Sequence, residues 1–139
     1  MAESTYRKPL PRINQLSRPH WAGLKRHELL IQACKACGKR WFPPSHRCPH
    51  CLSSDYEWLP VSGKARLWSW IHMWQRYFPA FEPEIPYNVG FVELEEGPRM
   101  MTSIVECAPE DLRCDLELEP VFEDVTDEIT LLKFRPAAP

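Results

Sequence analysis

A mainly β fold is predicted for this chain of 139 residues by two patterns. The first is a pair of Cys-x-x-Cys motifs in the N-terminal half, separated by the ten residues 38–47. The second begins at Gly63, where short runs of β-branched and aromatic residues alternate with turn residues. With a short helical pattern before them, they predict a helical arm over residues 1–32, a metal-binding ribbon over 33–60 and a five-stranded OB-fold barrel over 61–139.

The arm contains one short helix followed by a strand. Ser17 is a candidate N-cap, Pro19 fits the first helical turn, and Trp21 and Leu24 follow at helical spacing. These two apolar residues form a stripe that must pack against the same domain or against another chain. Residues 29–33 are predicted to form a strand that leads into the first cysteine pair.

The two cysteine pairs have the spacing of a tetrahedral zinc site. Two residues between cysteines let both sulfurs of one tight turn face a single ion, and the intervening loop can bring the two turns together. The alternatives are a redox dithiol, which needs only one pair, or two structural disulfides. We interpret the set as a closed structural Zn²⁺ site, and the remaining Cys107 and Cys114 as reduced thiols. The four predicted zinc ligands are Cys34, Cys37, Cys48 and Cys51.

The barrel is predicted from five strand candidates and their turns. The segment Glu96-Gly97-Pro98 would join the second and third strands as a hairpin, and a single helical turn would separate the third from the fourth. This order is that of the OB fold, and an SH3-like barrel is the alternative. The strands are predicted at residues 64–74, 87–93, 99–106, 118–124 and 129–134, with the helical turn at 109–112.

Charge is divided unevenly along the chain. Residues 1–51 hold ten Lys and Arg against two Glu, a net charge of +8, whereas residues 52–139 hold seven against seventeen acidic residues, a net charge of −10. The basic excess either compensates the thiolate cluster or attracts an anion, such as nucleic acid or the phosphates of a coenzyme A thioester. The candidates for phosphate contact are Lys35, Lys39, Arg40 and Arg47.

The first barrel strand carries three tryptophans at alternate positions. A period of two places Trp68, Trp70 and Trp74 on one face together with Arg66 and His72. Such a face could stack single-stranded bases, contact a partner subunit or fill the barrel. The acidic balance of the barrel half weakens the nucleic-acid interpretation.

A loop rich in aromatic residues and prolines follows this strand over residues 76–87. Phe78, Phe81 and Tyr87 are candidates for contact with a partner near its substrate channel, and the alternative is a lid folded over the barrel itself. No apolar stretch approaches the roughly twenty residues that cross a bilayer, and residues 1–12 lack a secretory signal. We therefore expect a cytoplasmic protein without a membrane partner.

Several motifs resemble one family. The cysteine motifs in a Cys-x-x-Cys-Gly…Pro-Pro…Cys-Pro-x-Cys arrangement, the segment Pro86 to Leu94, the turn Glu96 to Arg99 and the ending Phe134-Arg135-Pro136 resemble the zinc-ribbon OB-fold family once catalogued as domain of unknown function 35. The resemblance covers residues 17–136 and includes a rubredoxin-like ribbon. One departure is Cys114-Asp115-Leu116, where relatives usually carry a hydrophobic residue and a glycine before the fourth strand.

The resemblance implies a helper of acyl-CoA chemistry. Members are associated with thiolase-like enzymes, aldolases or hydratases acting on CoA thioesters, and the zinc-finger subunits of two-component thiolases such as benzoylsuccinyl-CoA thiolase are the narrower match. By this resemblance the chain is a non-catalytic accessory subunit in a hetero-oligomer with a thiolase-like catalytic subunit, and an aromatic β-ketoacyl-CoA is one candidate substrate. The alternative is a zinc-ribbon OB-fold protein that binds single-stranded nucleic acid.

Overall fold

The computed structural model describes residues 5–138, so the first four residues of the predicted arm and the last residue of the predicted barrel lie outside it. This part of the chain contains one α-helix and eight strands, and the strands form two sheets. No helix within residues 5–138 is long and apolar enough to span a bilayer. The elements are α1 (Arg18–Lys25), β1 (Leu29–Cys34), β2 (Arg40–Trp41), β3 (Tyr56–Val61), β4 (Ala65–Met73), β5 (Tyr87–Leu94), β6 (Arg99–Thr102), β7 (Glu117–Asp124) and β8 (Thr130–Pro136).

The helix begins where the sequence predicts, with Ser17 as the preceding residue and a proline in the first turn. The Ser17 hydroxyl does not cap the helix. It accepts a hydrogen bond from the Asn14 N–H at 3.2 Å, while Asn14 Oδ1 accepts one from the Ser17 N–H at 2.8 Å. The helix ends at a turn in which the His27 N–H donates to the Leu24 carbonyl at 2.8 Å, with His27 at a φ of 60°.

The N-terminal sheet has the order β2-β1-β3 and is antiparallel throughout. Strand β1 pairs with β3 along its whole length, from Leu29 opposite Val61 to Cys34 opposite Tyr56. This sheet carries the cysteine turns at one end and leads through Gly63 into the barrel at the other.

The second sheet has the order β6-β5-β4-β7-β8. It curls until a parallel bridge between Ile104 and Phe134 joins its two ends. This order, with a three-residue helical turn at Pro109–Asp111 before β7, is that of an OB fold rather than the SH3-like alternative. The predicted fold class is confirmed.

The third barrel strand is shorter than the sequence predicts, because β6 ends at Thr102 instead of residue 106. The chain changes partner there. The Asn88 side chain binds both the N–H and the carbonyl of Ile104, at 2.7 and 2.8 Å. Beyond it, the Val105 N–H donates to the Phe134 carbonyl of β8 at 2.8 Å.

One apolar core joins the arm, the first sheet and the barrel. Leu24 of α1 and Ile31 of β1 belong to the same buried cluster as Leu67, Leu118 and Phe134 of the barrel. A smaller cluster of Cys34, Cys48 and Trp41 lies under the cysteine turns.

Candidate functional site

The two cysteine pairs fold in the same way. In the first turn the Gly38 N–H donates to the Cys34 carbonyl at 3.0 Å, and in the second the Leu52 N–H donates to the Cys48 carbonyl at 2.8 Å. Both donors have a positive φ, 78° for Gly38 and 66° for Leu52. A leucine therefore occupies a left-handed position that favours glycine. Leu52 directly follows the second Cys-x-x-Cys motif, as Gly38 follows the first. This matching position is the sequence signal that indicates the left-handed conformation of Leu52.

The four predicted ligands come together with the geometry of a tetrahedral ion site. The Sγ atoms of Cys34 and Cys51 are 3.5 Å apart and those of Cys37 and Cys48 are 3.7 Å apart. All four Sγ atoms lie within 4.8 Å of one another. A tetrahedron with Zn–S bonds of about 2.3 Å requires sulfur separations of about 3.8 Å, so the cluster fits Zn²⁺.

Hydrogen bonds from the backbone lower the pKa of the cysteine thiols, whereas burial raises it. The backbone N–H of Cys37 lowers the pKa of Cys34 to about 6, despite the opposing effect of burial. The pKa of Cys51 rises to about 12: a hydrogen bond with the backbone of Ser53 lowers it, but the neighbouring Cys34 thiol and burial outweigh that effect. Four thiolates this close repel one another, and a divalent cation is the partner that allows all four to ionise.

The loop between the two pairs is anchored to the first sheet by Gln32. Its buried amide donates from Nε2 to the Ser45 carbonyl and accepts from the Ser45 N–H, both at 2.8 Å. Trp41 packs against the buried cysteines and meets Tyr56 edge to face at 5.8 Å. These contacts hold the second cysteine turn against the sheet that carries the first.

The four basic candidates differ in their surroundings. Arg47 Nη1 donates to the Leu52 carbonyl at 3.1 Å and so supports the second cysteine turn. Lys35 and Lys39 are exposed, and Arg40 on β2 is half-buried. All four belong to the cysteine-bearing end of the chain, but none of them lines the groove formed by Trp21, Phe42 and Leu132.

The prediction that Trp68, Trp70 and Trp74 share one face of the first barrel strand is wrong beyond Trp68, because β4 contains a β-bulge. Leu67 pairs with Val92 and Ser69 pairs with Phe91, so Trp68 is an extra residue on its strand. The bulge reverses the alternation, and Trp70 packs against the barrel core while Trp68 stays outside. A continuous stacking platform for bases is therefore not formed along this strand.

Trp68 instead lies in a cross-strand cluster. Its ring meets Phe91 of β5 edge to face at 5.7 Å, and the Arg99 guanidinium of β6 lies 4.2 Å from its centroid. Arg99 also binds Glu93 at 2.9 Å. No local sequence pattern predicts this stack, which depends on the bulge.

An exposed apolar set is contributed by β4, by the segment that follows β4 and by β6. Its members range from 48% to 72% exposed, which is unusual for side chains of this size. The set consists of Trp68, Ile71, Trp74, Tyr77, Phe78 and Met101.

The loop over residues 76–87 combines the two predicted alternatives, because one part of it is exposed and another part folds over the barrel. Phe78 is 51% exposed, whereas Phe81 is half-buried in a 3₁₀ helix (Pro79–Glu84) and packs on Tyr87 with ring centroids 5.4 Å apart. Lys8 of the arm lies over the Phe81 ring at 5.2 Å. Phe81 and Tyr87 thus hold the loop on its own barrel, while Phe78 remains available to a partner.

The fold and the cysteine cluster define the class: a zinc-ribbon protein with an OB-fold barrel. Residues 21–57 match the family described as "ChsH2, rubredoxin-like zinc ribbon domain", and residues 58–123 match "ChsH2, C-terminal OB-fold domain". A scaffold protein with a DUF35 domain from Methanocaldococcus jannaschii is 33% identical over 78% of this chain and 77% of its own length. The chain belongs to the DUF35 zinc-ribbon OB-fold family.

Other relatives carry more specific names. A probable enoyl-CoA hydratase alpha subunit from Thermomonospora curvata is 36% identical over 95% of this chain, which spans only 41% of that relative. The benzoylsuccinyl-CoA thiolase subunit BbsA of Thauera aromatica is 32% identical over 68% of this chain and 62% of its own length. A chain of the solved Ltp2-ChsH2(DUF35) aldolase superposes with a TM-score of 0.82 at 35% identity, covering 93% of this chain and all of that one.

Proposed function

We propose that this chain is a non-catalytic accessory subunit of a hetero-oligomeric complex whose catalytic subunit is thiolase-like and acts on acyl-CoA thioesters. The observation that carries the proposal is the structural match, over 93% of this chain, to a chain of the Ltp2-ChsH2(DUF35) aldolase. The thiolase subunit and the scaffold proteins among its relatives support the same role. From the name of the benzoylsuccinyl-CoA thiolase relative, we propose an aromatic β-ketoacyl-CoA as the candidate substrate.

The chemistry of the free thiols supports a role outside the covalent step. Cys107 Sγ donates to the Ala108 carbonyl at 3.5 Å, and burial, with Asp111 nearby, raises its pKa. A nucleophilic cysteine needs the opposite shift and an adjacent base. We therefore assign the nucleophile to the partner. We also expect the complex to work in the cytoplasm.

The four cysteines would hold one structural Zn²⁺. Four thiolates complete a tetrahedron and leave no position for water, so the ion would stabilise the ribbon rather than activate a substrate. Because the ribbon shares its core with the barrel, the ion would also fix the surfaces presented to the partner.

The exposed apolar set is the surface we assign to the partner. Trp68 and Phe78 are the members that the sequence also selected, and large aromatic residues are typical anchors of protein interfaces. Lys35, Lys39 and Arg40 remain candidates for contact with the phosphates of CoA, since none of them forms an ion pair within residues 5–138.

The test is co-expression with a thiolase-like catalytic subunit, followed by an assay of C–C cleavage of a β-ketoacyl-CoA or β-hydroxyacyl-CoA. We expect a stable complex that is active, and an isolated chain that is inactive. Turnover by the isolated chain would refute the accessory role. In the complex, Arg40→Glu should raise the KM for the thioester if this residue contacts CoA, and an unchanged KM would remove it from the ligand site.

A further inference from the structure

Strand β4 has an outer edge that is unpaired over much of its length within residues 5–138. Strand β7 pairs with β4 only at residues 65 and 66, and the segment just before β7 makes backbone hydrogen bonds to β4 only at Leu67. From Ser69 to Met73, β4 pairs with β5 alone. The second half of β4 is therefore an edge strand, although it lies in the middle of the five-stranded sheet.

The strand register shows which backbone groups point outward from this edge. The Leu94 N–H donates to the Pro98 carbonyl just before β6, so the even-numbered residues of β5 direct their backbone groups to β6 and the odd-numbered ones to β4. Trp70 and His72 lie opposite even-numbered residues of β5. Their N–H and carbonyl groups consequently point away from β5, and they have no hydrogen-bond partner in the described part of the chain.

This edge lacks most of the features that prevent edge strands from pairing with another chain. Such features are charged side chains, prolines, covering segments and bulges. Residues 67–75 contain no Lys, Arg, Asp, Glu or Pro, and the bulge at Trp68 leaves the register regular from Ser69 to Met73. Ile71 is 57% exposed, and the neighbouring His72 is exposed as well. An uncharged edge with an exposed apolar side chain is suited to the addition of a further strand.

The edge is complementary to itself. When two copies meet antiparallel about a two-fold axis at Ile71, Trp70 of each copy lies opposite His72 of the other. Each of these pairs exchanges N–H to carbonyl hydrogen bonds in both directions, so the outward backbone groups of both residues are satisfied. The two Ile71 side chains meet at the axis as a cross-strand pair. Because residues 67–75 carry no Lys, Arg, Asp or Glu, the segment faces its own copy without repulsion between such side chains.

We propose that this chain forms a two-fold homodimer by antiparallel pairing of its β4 edges, centred on Ile71. A second copy is the occupant because the chain's own segment supplies the matching backbone groups and the matching apolar side chain at the axis. The dimer does not depend on the proposed function. Of the exposed apolar set, the pairing covers Ile71, whereas Phe78 and Met101 lie outside the paired segment and are left to the catalytic subunit.

The oligomeric state of the isolated full-length chain is the first test. A contact made by one strand of each copy is small, so sedimentation velocity is measured from about 1 to 300 µM. We expect a dimer whose fraction rises with concentration across this range. Monomers at every concentration would overturn the proposal. Assembly beyond a dimer would also overturn it, since a two-fold contact closes on itself.

Pairing through the main chain is tested at His72. His72→Pro removes an outward N–H without removing a hydrogen bond to β5, and we expect it to raise the Kd of the dimer about ten-fold or more. His72→Ala is the matched control: it removes the side chain but keeps the N–H, so the Kd should stay within about three-fold of the parent. Equal Kd values for the two variants would show that the β4 backbones are not paired.

The position of the axis is tested by a charge swap at Ile71, which remains decisive even if His72→Pro does not fold. Ile71→Lys and Ile71→Glu should each be monomeric up to about 300 µM, because like charges then lie opposite each other, and an equimolar mixture of the two should dimerise. Met101→Lys, at a residue 68% exposed on β6, is the control and should dimerise as the parent does.

A mixture of the two Ile71 variants that stays monomeric would overturn the two-fold register. Dimerisation of Ile71→Lys alone, to the same extent as the parent, would show that the copies meet at another surface. Circular dichroism of each variant checks that it is folded. None of these measurements uses the catalytic partner, so their failure is separate from a failure to form the complex.

Discussion

His27 Nε2 lies 3.1 Å from both carboxylate oxygens of Asp124, joining the turn after α1 to the end of β7 across 97 positions of sequence. The Thr130 hydroxyl donates to the same carboxylate at 2.6 Å, and the His27 ring stacks on Phe122 with centroids 5.1 Å apart. The left-handed conformation of His27 aims its ring at the barrel. The helix is therefore attached to the barrel by a polar contact as well as by the Leu24 side chain.

This contact predicts an acid-sensitive contribution to stability. The Thr130 hydroxyl, and then His27, hold the pKa of Asp124 below its ordinary value. A carboxyl group whose pKa is lower in the folded state stabilises the fold above its unfolded pKa of about 4 and loses that effect as the pH falls through the folded value. We expect Asp124→Asn to lower the Tm at neutral pH, and the difference to shrink below about pH 4.

Thermal melts between about pH 3 and pH 7 measure this, with Asp127→Asn as the control. Asp127 is exposed on the adjoining loop and forms no ion pair within residues 5–138. A Tm difference for Asp124→Asn that stays constant across the range would show that its charge is not responsible.

Loss of one thiolate should remove the metal and the ribbon with it. Cys48 is fully buried, and Cys48→Ser removes a ligand from the cluster. Structural zinc contributes about 10 kcal/mol or more to the folding of small zinc domains, comparable with the whole stability of many domains. Elemental analysis should find one zinc per chain in the parent, none in Cys48→Ser and one in the control Cys114→Ser. A native protein without zinc would refute the assignment.

Gly63 connects the ribbon to the barrel in a conformation that only glycine fits. Its φ is +80°, and an added Cβ would lie 2.6 Å from Pro120 Cγ of β7. Gly63→Ala therefore combines backbone strain with a steric clash, and we expect a loss of about 2 kcal/mol or more in urea unfolding. Gly97→Ala also has a positive φ but meets nothing within 4 Å, so it should cost about half as much. Equal losses would mean that Pro120 moves aside without penalty.

Local patterns predicted the parts of the fold that local chemistry determines. The cysteine spacing predicted the cluster of four thiols, and alternation predicted the positions of all five barrel strands within a few residues. Two failures had non-local causes. Trp70 turns inward because an extra residue at Trp68 shifts the register, and β6 stops at Thr102 because Asn88 holds Ile104 toward β8. The Arg99 stack on Trp68 depends on three neighbouring strands, so no local pattern encodes it.

The shared core predicts that ribbon and barrel unfold together. Leu24 is 1% exposed and packs in the cluster that contains Ile31 and Phe134. Leu24→Ala should cost about 2–5 kcal/mol. It should lower the denaturant midpoint for tryptophan fluorescence and the midpoint for zinc release equally. Leu10→Ala, at a residue 44% exposed on the arm, should change neither. Separation of the two midpoints would show that the ribbon unfolds independently.

The exposed apolar set should carry the affinity for the catalytic partner. Trp74 is 72% exposed and Phe78 is 51% exposed, so replacing either with serine removes little packing within the chain. Buried aromatic anchors at interfaces contribute about 2 kcal/mol or more, which corresponds to roughly thirty-fold in Kd. We expect Trp74→Ser and Phe78→Ser each to weaken the purified complex to about this extent, while the Tm of the isolated chain stays within about 2 °C. Leu52→Ser is the matched control, because Leu52 is 68% exposed but lies on the ribbon beside the second cysteine turn. If the control weakens the complex as much as the aromatic variants do, the partner contacts the ribbon and the assignment of the apolar set is wrong.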